Sequence, residues 1–139
     1  MAYPPLVTYG SVQDYRQHFY RVYCTRTIPT FDGYEVRFRK GQFDHCFFDS
    51  VITKDDTFST ARAERIDWIM TALQDPNAEL RVGWDNKKKK ATPNRRVTIV
   101  VGTYVVVVRL KKENKAEFVT AFDAEPRTIQ NIRSNPIWK

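Results

Sequence analysis

Apolar and polar positions follow two rhythms along this chain, and each rhythm predicts an element. Val12, Tyr15, Phe19, Val22 and Tyr23 recur at three- and four-residue spacing, which places them on one stripe of an amphipathic helix over Val12–Cys24. Ser11, with Asp14 three residues on, has the form of a capping box with Asp in the usual Glu place. A second helix runs over Thr60–Gln74: Ser59 or Thr60 opens it, Ile66, Ile69, Met70 and Leu73 form its buried stripe, and Asp75-Pro76-Asn77 ends it.

The other rhythm is that of strands. Val97–Val101, Tyr104–Lys111 and Glu117–Phe122 are runs of strand-forming residues broken by Gly102-Thr103 and by Lys112-Glu113-Asn114-Lys115, which predicts an antiparallel meander. Gly102 suits the positive φ of a two-residue hairpin turn, and Asn114 suits the longer one. Val106 and Val108 lie on one face and Val105 and Val107 on the other, so the middle strand is expected to be covered on both sides. Leu80–Trp84 is a short strand preceding the meander. Within Glu35–Phe48, Val36 and Phe38 alternate with Arg37 and Arg39, Lys40-Gly41 turns the chain, and a second apolar segment carries Phe43, Cys46, Phe47 and Phe48. Thr25–Gly33 and Ser50–Ser59 are connections. Glu125-Pro126 opens a short helix bearing Ile129 and Ile132, and Ile137 and Trp138 are placed to pack back on the body. The fold class is α+β: N-terminal helices packed on an antiparallel four-stranded meander sheet, with a short C-terminal helix.

A length of 139 residues fits a single domain over 1–139, and 42% hydrophobic residues with 14% aromatics supply a core for it. The formal net charge of +7 favours an anionic partner, nucleic acid foremost, with an acidic protein or a membrane surface as alternatives. No run of about 18 apolar residues marks a transmembrane helix, and the start, MAYPPLVTYG, lacks the parts of a signal peptide. The chain reads as soluble, with no membrane partner. Cys24 and Cys46 are expected to be free, buried thiols. No Walker loop, dinucleotide fingerprint or metal-ligand spacing occurs, so no cofactor or metal is expected.

The candidate chemistry lies in a few polar residues. His45, set among aromatics in FDHCFF, is either a general acid or base working near neutrality or a core histidine; on a strand it points away from its neighbour Cys46. His18 is either a surface residue of a basic helix or a second catalytic imidazole. Arg62 and Arg65 sit one turn before Ile66 and Ile69 and lean toward the core side, bound to an internal carboxylate or aimed into a cleft as an anion clamp. Lys87, Lys88, Lys89 and Lys90, with Arg95 and Arg96, put six cations in ten residues, a contact for a phosphate backbone or a solvated hairpin tip. Tyr104 stacks on a base, donates a proton or belongs to the core.

Taken together, FDHCFF, the helix FSTARAERIDWIMTALQDP, the meander with Tyr104 and the ending FVTAF resemble the phage-type members of the barnase, EndoU, colicin and RelE superfamily of small metal-independent ribonucleases, found as toxins and in phage-associated proteins. The resemblance covers roughly Phe38 to Phe122. It implies RNA held across the open side of the sheet, and it implies that His45, Arg62 or Arg65, and Thr120 hold the family's histidine, helical arginine and terminal hydroxyl. Cleavage would proceed by attack of the ribose 2′-hydroxyl on phosphorus, leaving a 2′,3′-cyclic phosphate. His45 would be the acid or base, Arg62 and Arg65 the phosphate clamp, Thr120 a hydrogen-bond donor or orienter, and Lys40 a further positive charge. The expected partners are RNA, including tRNA, and an acidic immunity protein or antitoxin, with the cytoplasm as the site of action. The competing expectation is a catalytically inert nucleic-acid-binding or phage structural module with the same basic face.

Overall fold

The computed structural model describes residues 3–85, 90–91 and 96–138. Helix α1 (Val12–Tyr23) starts where the Ser11 hydroxyl accepts the Asp14 N–H, and it buries Tyr15, His18, Phe19 and Tyr23. Two short strands follow, β1 (Ile28–Pro29) and β2 (Glu35–Arg37). Next comes α2 (Gln42–Phe47), then a small ladder of β3 (Phe48–Asp49) with β4 (Thr57–Phe58).

The segment expected as one helix over 60–74 is two: α3 (Thr60–Ala63), capped by the Ser59 hydroxyl, and α4 (Trp68–Leu73). Between them the N–H groups of Arg65, Ile66 and Trp68 reach back three residues to Arg62, Ala63 and Arg65, so the α-helical ladder is interrupted by tighter turns there.

β5 (Glu79–Val82), β8 (Arg96–Val101), β9 (Tyr104–Leu110) and β10 (Lys115–Asp123) are neighbours, while β6 (Trp84–Asp85) and β7 (Lys90–Ala91) form a separate ladder. The sheet is therefore larger than the expected four-stranded antiparallel meander. It has six strands in the order β1-β2-β10-β9-β8-β5, and it is mixed because β2 runs parallel to β10. A parallel partner carries no hairpin signal in the sequence, because its connection is a long crossover. Gly102, at φ 61°, makes the β8–β9 turn as expected, and Glu113 and Asn114 both take positive φ in the β9–β10 turn. Gly83 is fixed by proximity: a Cβ there would stand 2.4 Å from the Arg96 Cβ.

The main core lies between the sheet and α1–α4. Phe19, fully buried, is ringed by Tyr23, Phe38, Phe43, Phe47 and Phe118, with ring centroids 5.6–6.3 Å away. On the opposite face α5 (Pro126–Arg133) lays Ile129 and Ile132 over Val100, Val105, Val107 and Phe122. The middle strand is thus covered on both sides, and this part of the sheet's outer face is closed. The chain end returns to β5: the Val82 N–H donates to Pro136 and the Trp138 N–H to Leu80. Among the described residues no helix is long and apolar enough to cross a membrane.

Candidate functional site at the open half of β10

β2 pairs with β10 over Lys115–Glu117, so from Phe118 to Asp123 the strand has β9 on one side and, among the described residues, no strand on the other. Val119 has no partner on β9, a bulge between Phe118 and Thr120. Helix α2 fills the vacant edge. The Gln42 amide donates to the Phe118 carbonyl, and the Cys46 thiol donates to the Ala121 carbonyl at 3.4 Å. Side chains here do for the strand what a neighbouring backbone would do.

FDHCFF is helical where a strand was expected. Phe43, Cys46 and Phe47, at helical spacing, point inward. That leaves the His45 side chain 50% exposed, which overturns the core-histidine reading. The Asp55 carboxylate lies 3.9 Å from His45 Nδ1, longer than a hydrogen bond. Asp55 is held in the left-handed region at φ 53°, its N–H donating to the Ser50 hydroxyl. The adjacent Asp56 accepts the N–H groups of Val51, Ile52 and Thr53, and these bonds hold its carboxyl below the usual carboxylate range. The loop facing His45 is therefore tied down by its own acidic residues.

Arg62 reaches the same place from α3. Its guanidinium donates to the Cys46 carbonyl at 3.2 Å, pairs with Asp49 at 3.5 Å and lies over the Phe122 ring at 5.6 Å. Its side chain remains 32% exposed, and five N–H donors are more than these partners use. Thr120, half-buried, shares a hydrogen bond with the Cys46 thiol. Burial pushes that thiol up to about 12, so Cys46 is a protonated packing group at neutral pH. Arg62 and Thr120 thus both bond Cys46, the residue next to His45 in the chain, while among the described residues the contact of the His45 ring is with Asp55.

The other expected site residues go elsewhere. Arg65 donates to the Ala61 carbonyl at 2.6 Å and stacks on Trp68 at 5.2 Å, and its Nε is buried without a partner. Among the described residues no side-chain hydrogen bond or ion pair joins its guanidinium to Arg62, His45 or Thr120. Tyr104 is a core residue, 3% exposed, with its hydroxyl donating to the Arg65 carbonyl at 3.4 Å, so it offers no stacking face. Lys40 holds its ammonium 5.0 Å from the Tyr20 ring centre and lines a basic cleft away from His45. Lys87, Lys88 and Lys89 lie outside the described residues, and Lys90 enters only through the backbone of β7.

His18 is where the sequence misled. It is 8% exposed, with Nε2 2.7 Å from Asp67 and Nδ1 2.8 Å from the Tyr9 hydroxyl. Both ring nitrogens are engaged, so this histidine is a clasp between the N-terminal arm, α1 and the start of α4. No signal local to α1 marks it, because Asp67 is 49 positions away. Among the described residues no group of three or more His, Cys, Asp or Glu side chains comes together as a metal site. Comparisons with protein-family models, with curated proteins and with solved structures return no match.

Proposed function

We propose that the protein is a metal-independent ribonuclease that cleaves RNA by attack of the 2′-hydroxyl on the adjacent phosphorus. The observation that supports this reading is the pairing of a guanidinium and a hydroxyl on Cys46, beside the exposed imidazole of His45 in the chain. In this reading Asp55, 3.9 Å from Nδ1, leaves Nε2 as the nitrogen that meets substrate. In this mechanism His45 Nε2 takes the 2′-hydroxyl proton as the oxygen attacks phosphorus. The bond to the 5′-oxygen then breaks, leaving a 2′,3′-cyclic phosphate. Arg62 donates to the phosphoryl oxygens as their charge grows. The 5′-oxygen takes its proton from solvent, since the second histidine is buried in its clasp. Thr120 is a positioning residue through its bond to Cys46, and Arg65 supports α3 and α4. An acidic immunity protein or antitoxin that covers this edge would be the matching partner.

Purified protein incubated with total RNA and with tRNA in excess EDTA should release fragments ending in a 2′,3′-cyclic phosphate. His45→Ala, at an exposed position, should fold normally and lose 10²-fold or more in rate, about the contribution of a positioned acid or base. A folded His45→Ala protein that cuts at the parental rate would remove His45 from the mechanism. A second reading, an inert nucleic-acid-binding module, is favoured by the concentration of cations in a cleft whose lining does not include His45, Arg62 or Thr120. Binding with steep salt dependence and intact RNA would establish it.

A further inference from the structure

A cleft of about 760 Å³ opens where the end of α1 meets the parallel junction of β2 with β10. Six cations line it, Arg26, Arg37, Arg39, Lys40, Lys111 and Lys115, against two carboxylates, Glu35 and Glu117. Glu117 binds Arg39 and Lys111, each at 3.0 Å. Arg26, Arg37 and Lys115 form no ion pair among the described residues, and all three are exposed.

A second arrangement continues the first. The sheet register places Arg37, Glu117, Arg109 and Arg96 side by side on β2, β10, β9 and β8. They occupy the outer face, in register parity with Val105 and Val107 but beyond the apolar patch that α5 covers. With neighbouring strands about 4.8 Å apart, the row is about 14 Å long. Arg37 and Glu117 belong to both row and cleft, so the two form one continuous basic tract.

We propose that this tract binds the phosphate backbone of single-stranded RNA, the segment that flanks the nucleotide presented to His45. An elongated line of cations matches a linear polyanion. A protein partner would need an apolar anchor at its centre, and of the hydrophobic residues lining the cleft Phe38 and Ala116 are buried and Cys24 is half-buried. That the polyanion is RNA rests on the ribonuclease reading, whereas recognition of a phosphate backbone does not. The route between the two sites is short: Lys40 precedes α2 and His45 lies within it, about 8 Å along at helical rise.

The test is fluorescence anisotropy with a labelled single-stranded RNA on the non-cleaving His45→Ala background, titrated from 50 to 200 mM salt. The triple variant Arg26→Gln, Arg37→Gln, Lys115→Gln is compared with a charge-matched control, Arg21→Gln, Lys54→Gln, Arg127→Gln. Single strands show a slope of about 0.7 per neutralised phosphate, so the tract variant should be shallower by about 2, making the parent lose ~20-fold more affinity over that range. The control should keep the parental slope. Equal losses in both variants, no loss in either, or tract-dependent binding of polyglutamate without RNA binding would each overturn the proposal. Cleavage by the parent with tract-independent affinity would refute the tract and keep the ribonuclease. Tract-dependent binding without any cleavage would do the reverse.

Discussion

Replacing His18 by Ala removes the clasp that joins three segments distant in sequence. The bond to Asp67 is to a charged acceptor, worth about 1.5–3 kcal/mol when fully buried. The Asp67 side chain is 36% exposed, so water replaces part of that interaction and about 1 kcal/mol is the appropriate share. The Tyr9 hydroxyl bond adds about 1 kcal/mol, and the edge-on contact of the two rings, 5.8 Å between centroids, adds about 0.5 kcal/mol. The expected loss is about 2–3 kcal/mol. In urea, with an m-value of about 2 kcal/mol/M for a chain of this size, the midpoint should fall by about 1 M or slightly more. The cycle with Asp67→Ala should give a coupling of about 1 kcal/mol. A loss under about 0.5 kcal/mol, or additivity with Asp67→Ala, would refute the clasp. RNA cleavage supplies a separate check: at temperatures where the variant is folded its rate should match the parent. A folded, stable His18→Ala protein that no longer cuts would make His18 the catalytic imidazole.

Gly83→Ala places a methyl group 2.4 Å from the Arg96 Cβ and 3.0 Å from its carbonyl carbon. The end of the β5–β8 pair must open, at a cost of about 1–3 kcal/mol, visible as a lower urea midpoint; an unchanged midpoint would mean that the two strands do not approach so closely. Glu117→Gln tests acid stability. Its hydrogen bond to Lys111, with Arg39 beside it, holds the Glu117 carboxyl below its ordinary value of 4.5. A depressed folded-state pKa stabilises above the unfolded value and is lost as pH falls through the folded one. The parent should therefore be more stable than the variant at pH 7, with the difference vanishing as pH drops below about 4.5. A difference that does not shrink as pH falls from about 4.5 through the lowered folded-state value would contradict the ion pairs.

The elements legible in the sequence were those with local causes. The stripe and Ser11 cap of α1, the Gly102 hairpin and the Pro126 helix start each follow from residues within a few positions. FDHCFF was misread because its aromatics favour a strand, although Phe43, Cys46 and Phe47 already stood at i, i+3 and i+4. The break between α3 and α4 has no Gly or Pro to announce it; it follows from packing, with the Trp68 indole donating to the Pro4 carbonyl and the Val7 N–H to the Glu64 carbonyl. The parallel β2–β10 pair, and with it the basic cleft, depended on a pairing between positions about 80 residues apart. Of the candidate site, His45 and the pair Arg62 and Arg65 stood out from their local pattern and Thr120 gained its role through the family resemblance, while nothing local separated Arg62 from Arg65.

The vacant edge of β10 explains why the candidate site sits where it does. A strand that loses its neighbour after Glu117 must satisfy the carbonyls of Phe118 and Ala121 by other means. Gln42 and Cys46 do so from successive turns of α2, which fixes the rotation of the helix and so the direction in which His45 emerges. Arg62 then caps the Cys46 carbonyl near the end of that helix. Arg62 therefore carries two duties, and its replacement removes a structural bond together with any donor to a phosphate. His45 carries one: it is exposed, and within the described structure its close contact is the Asp55 carboxylate. A decline in cleavage on changing His45 consequently reports chemistry, whereas the same decline at Arg62 reports chemistry only if Arg62→Lys, which keeps the charge but not the fork, retains the fold and still loses rate.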